Sequence, residues 1–92
     1  MDIDALRTRI DEIDEKLVAL LSERADCALA IGKLKEAAGV PIYQPSREAE
    51  VLRHVRTVNN GPLDDDAVGR LFERVIDEAR RLERQAVKRN ER

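Results

Sequence analysis

Two cationic side chains lie on a face of the N-terminal segment that is otherwise apolar. From residue 3 to residue 34 the apolar residues recur at spacings of three and four, the repeat of a helix that buries one seam. The seam comprises Ile3, Leu6, Ile10, Ile13, Leu17, Leu20, Cys27, Ile31 and Leu34. Arg24 interrupts it, and Lys35, eleven residues later, points within roughly 20° of Arg24 at ~100° per residue. Charges on an apolar face are costly unless they are paired or liganded, so this face is a candidate anion site.

Three further charged residues point toward, or near, the apolar faces of later segments. Arg47 and Glu48 lie where the apolar stripe of a second helix extends back to its start, and Glu83 falls within the apolar arc of a third. In one interpretation these charges only pair across helices, for example Arg24 with Glu83. Taken as a set with Lys35, however, three cations outnumber two acids. The surplus predicts a small cavity, polar within and apolar around, that holds a compact dianion such as a dicarboxylate.

The remaining chemistry-bearing residues indicate no nucleophile, metal cluster or phosphate-binding loop. The chain has one cysteine and one histidine, which cannot form a zinc site from the usual nitrogen and sulfur ligands. Cys27 excludes an intrachain disulfide, and its place on the seam predicts a small buried apolar residue. We therefore expect neither a cofactor nor a metal.

Three helices must position these residues, which makes the fold all-α. The first begins after Asp2 or Asp4 and ends near Ala38, with Gly39 as its C-terminal stop. Gly32 interrupts it, either to let a backbone or a ligand approach or because it is simply tolerated there. The second helix begins at about Pro45 and ends at about Val58.

The third helix begins after one of the three aspartates at 64–66 and reaches roughly to Lys88, beyond which the charged tail, 88–92, is expected to fray. Its inner arc comprises Val68, Leu71, Phe72, Val75, Ile76, Ala79, Leu82 and Ala86. Arg80 is assigned to the outer face, together with Glu73, Arg81 and Arg84. The Arg-rich C-terminal turns are interpreted as a solvated end that complements the helix dipole.

The length of the first helix predicts a homodimer. About 32 residues at ~1.5 Å each span ~48 Å, whereas a compact chain of 92 residues has a radius of gyration of only ~12 Å. The helix would overhang its own domain and expose part of its seam to water. A second copy of the chain is the expected cover.

Composition favours a single domain, residues 1–92, and excludes several partners. The net charge is −2 with both signs interspersed, and Tyr43 and Phe72 are the only aromatic residues, so we expect no nucleic-acid binding. The chain contains no run of ~20 apolar residues and starts with an acidic periodic helix rather than a signal peptide. We expect no membrane association and a cytoplasmic location.

The sequence resembles the all-helical chorismate mutases, most of all the domain at the start of bifunctional chorismate mutase–prephenate dehydratases. The segments that carry the resemblance are "LRTRIDEIDEKLVALLSERADCALAIGKLK" (Leu6 to Lys35), "YQPSREAEVL" (Tyr43 to Leu52), "GPLDDD" (Gly61 to Asp66) and "RLFERVIDEARRLE" (Arg70 to Glu83). They cover nearly the whole chain, and the spacing of its charged residues agrees with the family pattern. The resemblance implies an intertwined dimer of three-helix chains that converts chorismate to prephenate in aromatic amino acid biosynthesis.

The resemblance also implies how the substrate carboxylates are held. Arg24 binds one carboxylate, and Arg7 from the partner chain binds the other. Helix geometry supports the use of Arg7 in trans, because it lies 17 residues, about 26 Å, from Arg24 along one straight helix. In an antiparallel pair of first helices, Arg7 of one chain can meet Arg24 of the other.

The other roles follow from the same resemblance. Lys35 donates to the ether oxygen and touches a carboxylate, Arg47 helps to position the cluster, and Glu48 accepts from the ring hydroxyl. Glu83 stands where many members have Gln, as second donor to the ether oxygen. A carboxylate cannot donate a hydrogen bond, so Glu83 must be protonated to act, and activity is expected to rise toward acidic pH.

Two departures and two alternatives remain open at this point. Other members carry Ser at the position of Ala79 and Asp at that of Gln44, so these two residues are left out of the catalytic set. One alternative is an isochorismate pyruvate lyase, which shares the fold and the cationic pocket. The other is a non-catalytic helical dimerisation module, in which Arg24, Lys35 and Glu83 only pair with one another.

Overall fold

Three α-helices make up the chain in a computed structural model that describes residues 2–90. They are α1 (Ile3–Ala38), α2 (Pro45–Val58) and α3 (Asp65–Asn90). No strand occurs among the described residues, which confirms the predicted all-α class. Helix α3 continues past Lys88 to Asn90, and the rest of the tail that was expected to fray, residues 91–92, lies outside the described residues.

Local signals determine both ends of α1 and the start of α3. The Asp2 carboxylate accepts a hydrogen bond from the backbone N–H of Ala5 at 2.8 Å and so caps α1. Gly39 ends the same helix with a φ of 69°, a left-handed conformation that glycine adopts without steric cost. The Asp64 carboxylate accepts from the backbone N–H of Ala67 at 2.7 Å and caps α3 in the same way.

Helix α3 packs against both α1 and α2, and the core between them is small. Ala28, Val55 and Ile76 are its buried apolar residues, one from each helix, and Glu83 is the buried charged residue among those described. Within residues 2–90 no large side chain is fully buried. This core covers only part of the apolar surface that the three helices carry.

The N-terminal half of α1 projects away from that core as a bare arm, residues 3–23. Every residue of the arm is exposed, and the first half-buried side chain of the helix is that of Arg24. The chain is 53 Å long and its radius of gyration is 16.4 Å, against the ~12 Å expected of a compact chain. The predicted overhang is therefore present, and seam residues such as Ile10 and Leu17 lie open to solvent.

Cys27 is exposed in the single chain, contrary to its predicted burial. It lies on the same seam of α1 as the apolar residues of the arm, beside the space between the three helices. Helix α3 instead packs on a neighbouring side of α1, where Ala28 and Gly32 are the buried residues.

Candidate active site

A cleft of about 430 Å³ lies where the three helices come together. Five of the six sequence-predicted site residues line it. They are Arg24, Lys35, Arg47, Glu48 and Glu83. Apolar side chains, among them Ile31, Val51 and Ile76, form much of the remaining wall. The predicted character of the cavity, charged groups set among apolar neighbours, is therefore present in the fold.

Lys35 and Glu83 meet at the inner wall of this cleft. Lys35 Nζ lies 3.7 Å from Glu83 Oε2 and donates to the backbone carbonyl of Ile42 at 3.1 Å. Glu83 Oε2 is buried and has no hydrogen-bond partner within residues 2–90. Burial raises the pKa of Glu83 above its usual 4.5, and the nearby ammonium of Lys35 opposes part of that rise. The site thus holds a carboxyl group that takes up a proton more readily than an exposed one.

Gly32 is the position that lets Glu83 approach α1 so closely. A Cβ at this position would lie 3.2 Å from Glu83 Cγ and 3.5 Å from Glu83 Oε2. The sequence allowed two interpretations of this glycine, a close approach by another group or simple tolerance. The structure has a close approach, and the approaching group is the Glu83 side chain of α3. Glycine here positions the acid beside Lys35.

Arg24 is half-buried at the cleft, and its guanidinium has no partner among the described residues. Among residues 2–90 its side chain makes no ion pair or hydrogen bond. The pairing with Glu83 that one interpretation allowed does not form, because Glu83 faces Lys35 instead. An arginine that faces a cleft without a protein carboxylate can receive an anion from solution.

Arg47 reaches only the rim of the cleft. Its side chain is 68% exposed and lies 3.5 Å from the carboxylate of Glu50, one turn further along α2. The apolar stripe of α2 passes through Glu48, which is half-buried, and leaves Arg47 exposed. Arg47 lies near the buried side, as the stripe indicated, but at the rim of the cleft and not within it.

Arg80 is a cleft residue that sequence reasoning placed on the outer face. Its Nη2 donates to both carboxylate oxygens of Glu48, at 2.7 and 2.9 Å, and its guanidinium lies 4.8 Å from the centre of the Tyr43 ring. A signal for this position was available in the spacing. Arg80 follows Ile76 by four residues and precedes Glu83 by three, so it lies within about 40° and 60° of two buried residues.

Arg7, the sixth predicted site residue, lies on the exposed arm and does not line the cleft of its own chain. The two residues named as departures, Gln44 and Ala79, do line it. Ala79 offers no side-chain hydrogen bond, so the neighbouring donors at this wall come from Arg80 and Lys35.

The arrangement is suited to holding an anion beside hydrogen-bond donors. Four cations line the cleft, from Arg24, Lys35, Arg47 and Arg80, against the two acids Glu48 and Glu83.

Within residues 2–90 there is no group of three or more His, Cys, Asp or Glu side chains that could hold a metal ion. No helix in the same range has the length and apolar character needed to cross a membrane.

Comparison with known proteins shows the family to which the chain belongs. The family model described as "Chorismate mutase type II" matches residues 6–84. The bifunctional chorismate mutase/prephenate dehydratase of Pseudomonas aeruginosa is 44% identical over 86 residues, which cover 88% of this chain and 24% of that protein. The chorismate mutase of Methanocaldococcus jannaschii is 31% identical over 81 residues, which cover 87% of this chain and 82% of that protein. The chain spans about a quarter of the length of the bifunctional relatives that it matches.

Solved chorismate mutases have the same fold as this chain. A chorismate mutase from Thermus thermophilus superposes with a TM-score of 0.88 at 35% identity, covering 89% of this chain and 93% of that one. A chorismate mutase from Helicobacter pylori, in complex with prephenate, gives a TM-score of 0.86 at 30% identity and covers 94% of this chain and 93% of that one. With its charged cleft and a family match over most of its length, the chain belongs to the type II chorismate mutase family.

Proposed function

We propose that the chain is a chorismate mutase, which catalyses the pericyclic rearrangement of chorismate to prephenate in aromatic amino acid biosynthesis in the cytoplasm. The observation that carries the proposal is the convergence of Arg24, Lys35 and a buried Glu83 on one cleft with a surplus of positive charge. Chorismate is a dicarboxylate, the kind of guest that such a surplus favours. Membership of the family supports the same assignment.

The proposed reaction needs no nucleophile, cofactor or metal. The ether C–O bond of chorismate breaks while a C–C bond forms between the enolpyruvyl methylene carbon and the ring, so substrate and product are isomers and no proton or electron is lost. The protein lowers the barrier by holding the flexible side chain in the reactive chair and by placing donors where negative charge grows on the ether oxygen. Arg24 does the first by binding a carboxylate; Lys35 and protonated Glu83 do the second.

The remaining contacts in the proposal orient the ring. Glu48 accepts a hydrogen bond from the ring hydroxyl, and Arg47, at the rim, helps to position the charged cluster. The carbonyl of Ile42 supports Lys35, because it accepts one of the three ammonium hydrogens at 3.1 Å and leaves the others for the substrate. The lysine is thereby held before the substrate arrives, which is the preorganisation that electrostatic catalysis requires.

A homodimer that supplies Arg7 in trans completes the proposed site. The exposed arm carries a continuous row of large apolar side chains, a surface that single soluble chains rarely leave open. The seam is also symmetric about the level of residue 15. If two α1 helices pair antiparallel about that level, Ile10 of each chain faces Leu20 of the other, and Ile13 faces Leu17. The same alignment sets Leu6 opposite Arg24 of the partner and brings the adjacent Arg7 to that partner's cleft.

Loss of chorismate absorbance after addition of the purified chain tests the proposal directly. The expected result is enzyme-dependent loss of absorbance, followed by acid conversion of the product to phenylpyruvate. Release of pyruvate from isochorismate, without loss of chorismate, would instead indicate the lyase, since that reaction cleaves the enolpyruvyl group from the ring. A flat trace with a stable dimer would indicate the dimerisation module.

A further inference from the structure

Arg80 connects three parts of the fold around the mouth of the cleft. It lies on α3, its Nη2 forks to both oxygens of Glu48 in the first turn of α2, and its guanidinium stacks over Tyr43 in the loop between α1 and α2. The side chains of Arg80 and Glu48 are only 24% and 26% exposed, so solvent screens their attraction weakly.

One N–H group of Arg80 has no partner in the described part of the chain while Nη2 contacts Glu48. Arg80 Nε is buried and has no partner within residues 2–90, and the contact of Nη2 with Asp77 is long, at 3.4 Å. A buried N–H without a partner is unfavourable, so the contacts with Glu48 and with the Tyr43 ring must offset that cost. The position of the guanidinium is therefore determined by its contacts with Glu48 and Tyr43.

Glu48 presents an electrostatic problem for the proposed reaction. A carboxylate at the mouth of a cleft that binds a dianion repels the substrate, yet an oxygen acceptor is wanted there for the ring hydroxyl. A neighbouring guanidinium removes the repulsion and leaves lone pairs free, because a carboxylate has about four acceptor sites and Arg80 uses two. The contact of one guanidinium nitrogen with both oxygens also limits how far the carboxylate can turn away from Arg80.

We propose that Arg80 is a positioning residue that neutralises and orients Glu48, so that Glu48 accepts the ring hydroxyl without repelling the two substrate carboxylates. This inference rests on the proposed function. Arg80 does not itself touch the substrate; it acts through Glu48. Its main effect is therefore on substrate binding rather than on the chemical step.

A double-mutant cycle tests the proposal, with Arg80→Gln, Glu48→Gln and the double variant compared with the unmodified chain in chorismate turnover. Arg80→Gln leaves Glu48 as an uncompensated negative charge, and KM is expected to rise on the order of tenfold while kcat changes less than about threefold. In the Glu48→Gln background the same substitution is expected to change KM less than about twofold. Arg80→Lys restores the charge without the fork and should recover part of the loss.

Arg81→Gln is the matched control, since Arg81 is the next residue of α3, its side chain is 70% exposed, and its ion pair with Glu78 spans 4.0 Å. It should leave KM unchanged. An equal effect of Arg80→Gln in both backgrounds would overturn the proposal, because Arg80 would then bind the substrate itself or merely support the fold. Loss of kcat without a change in KM would overturn it as well.

Urea unfolding of the same four proteins separates this proposal from the proposed function. No turnover by the unmodified chain contradicts the proposed function, and with it any role for Arg80 in that reaction. Turnover together with additive effects on both KM and the unfolding midpoint contradicts the Arg80 proposal alone. Turnover with non-additive effects on KM supports both.

Discussion

Glu83 has to carry a proton to donate a hydrogen bond, and its surroundings favour the protonated form. Because burial raises its pKa, the carboxyl holds a proton at pH values where an exposed glutamate has lost it. Activity is expected to fall as pH rises through the raised pKa, by up to about tenfold per pH unit. Glu83→Gln, which donates at every pH, should flatten the profile of kcat/KM, whereas the exposed-site control Glu78→Gln should keep it. A Glu83→Gln profile with the original slope would count against this role.

The same pKa shift predicts a pH-dependent stability. A group with a raised folded-state pKa stabilises the fold fully below its unfolded pKa, here near 4.5, and loses that contribution as pH rises through the folded value. Relative to Glu83→Gln, the unmodified chain should therefore lose stability as the pH rises above about 4.5 and through the raised pKa of Glu83. Urea unfolding of both proteins at pH 4 and pH 7 checks this. The free energy of unfolding of the unmodified chain, minus that of Glu83→Gln, should be lower at pH 7 than at pH 4. A difference that stays constant or increases with pH would contradict the raised pKa.

Gly32 matters at the residue scale because it leaves room for Glu83. In Gly32→Ala the new methyl group would lie 3.2 Å from Glu83 Cγ, so the acid must move by a few tenths of an ångström. Such a displacement is expected to lower kcat/KM on the order of tenfold, since catalytic donors tolerate little misplacement. The melting temperature should change little, because alanine favours the helix by up to about 1 kcal/mol and offsets part of the strain.

Gly69→Ala is the matched control on α3. The new methyl group would meet the guanidinium of Arg56, the end of a flexible exposed side chain that can move aside. This variant should gain up to about 1 kcal/mol of stability and keep full activity. If both alanine variants lost activity equally, the contact of Gly32 with Glu83 would not explain the first.

The site could be predicted from sequence only where helical position determines direction. Lys35 and Glu83 lie on apolar arcs and do meet in the cleft. Arg47 and Arg80 are long side chains near the edges of their arcs. Arg47 lies beside Glu50 at the rim, whereas Arg80 reaches Glu48 within the cleft. The spacing of Arg80 from Ile76 and Glu83 indicated that it lies near the buried side, but angles around one helix cannot specify Glu48 as its partner on another.

At the scale of elements, the helix boundaries were readable because caps and stops are local. Each cap or stop acts through groups within a few residues, so the local sequence is enough to predict it. The residues are Asp2, Gly39, Pro45 and Asp64. The packing of α3 against both other helices depends on which apolar arcs fit together. The apolar periodicity predicted the arcs but not the order in which they pair.

The arm of α1 yields a prediction at the same scale. If a second chain covers the seam, Ile10→Asp places a charge within that interface, at a cost of several kcal/mol, and should convert the dimer to monomer. Sedimentation equilibrium measures the change in mass, and chorismate turnover should be lost with it. Thr8→Asp, on the opposite side of the arm, adds the same charge and should leave a dimer. A monomeric unmodified chain would contradict the proposed dimer outright.

At the scale of the whole molecule, the proposed dimer makes each site depend on two chains. Arg7→Ala and Arg24→Ala should each abolish most activity alone. When the two variants are mixed and allowed to exchange, half of the dimers are mixed, and each mixed dimer has one site with both arginines. The mixture should regain about a quarter of the activity of the unmodified chain, a value that follows from the two-fold symmetry. No recovery after demonstrated exchange would place both arginines in one chain, or outside the site.

The bare arm also changes what stability means for this protein. A chain whose longest helix is half uncovered has little to gain from folding by itself, so in the proposed dimer folding and association are one second-order equilibrium. The midpoint of thermal unfolding should then rise with protein concentration, and dilution alone should favour the unfolded chain. A cell would retain the folded chain only while it keeps enough copies for partners to meet.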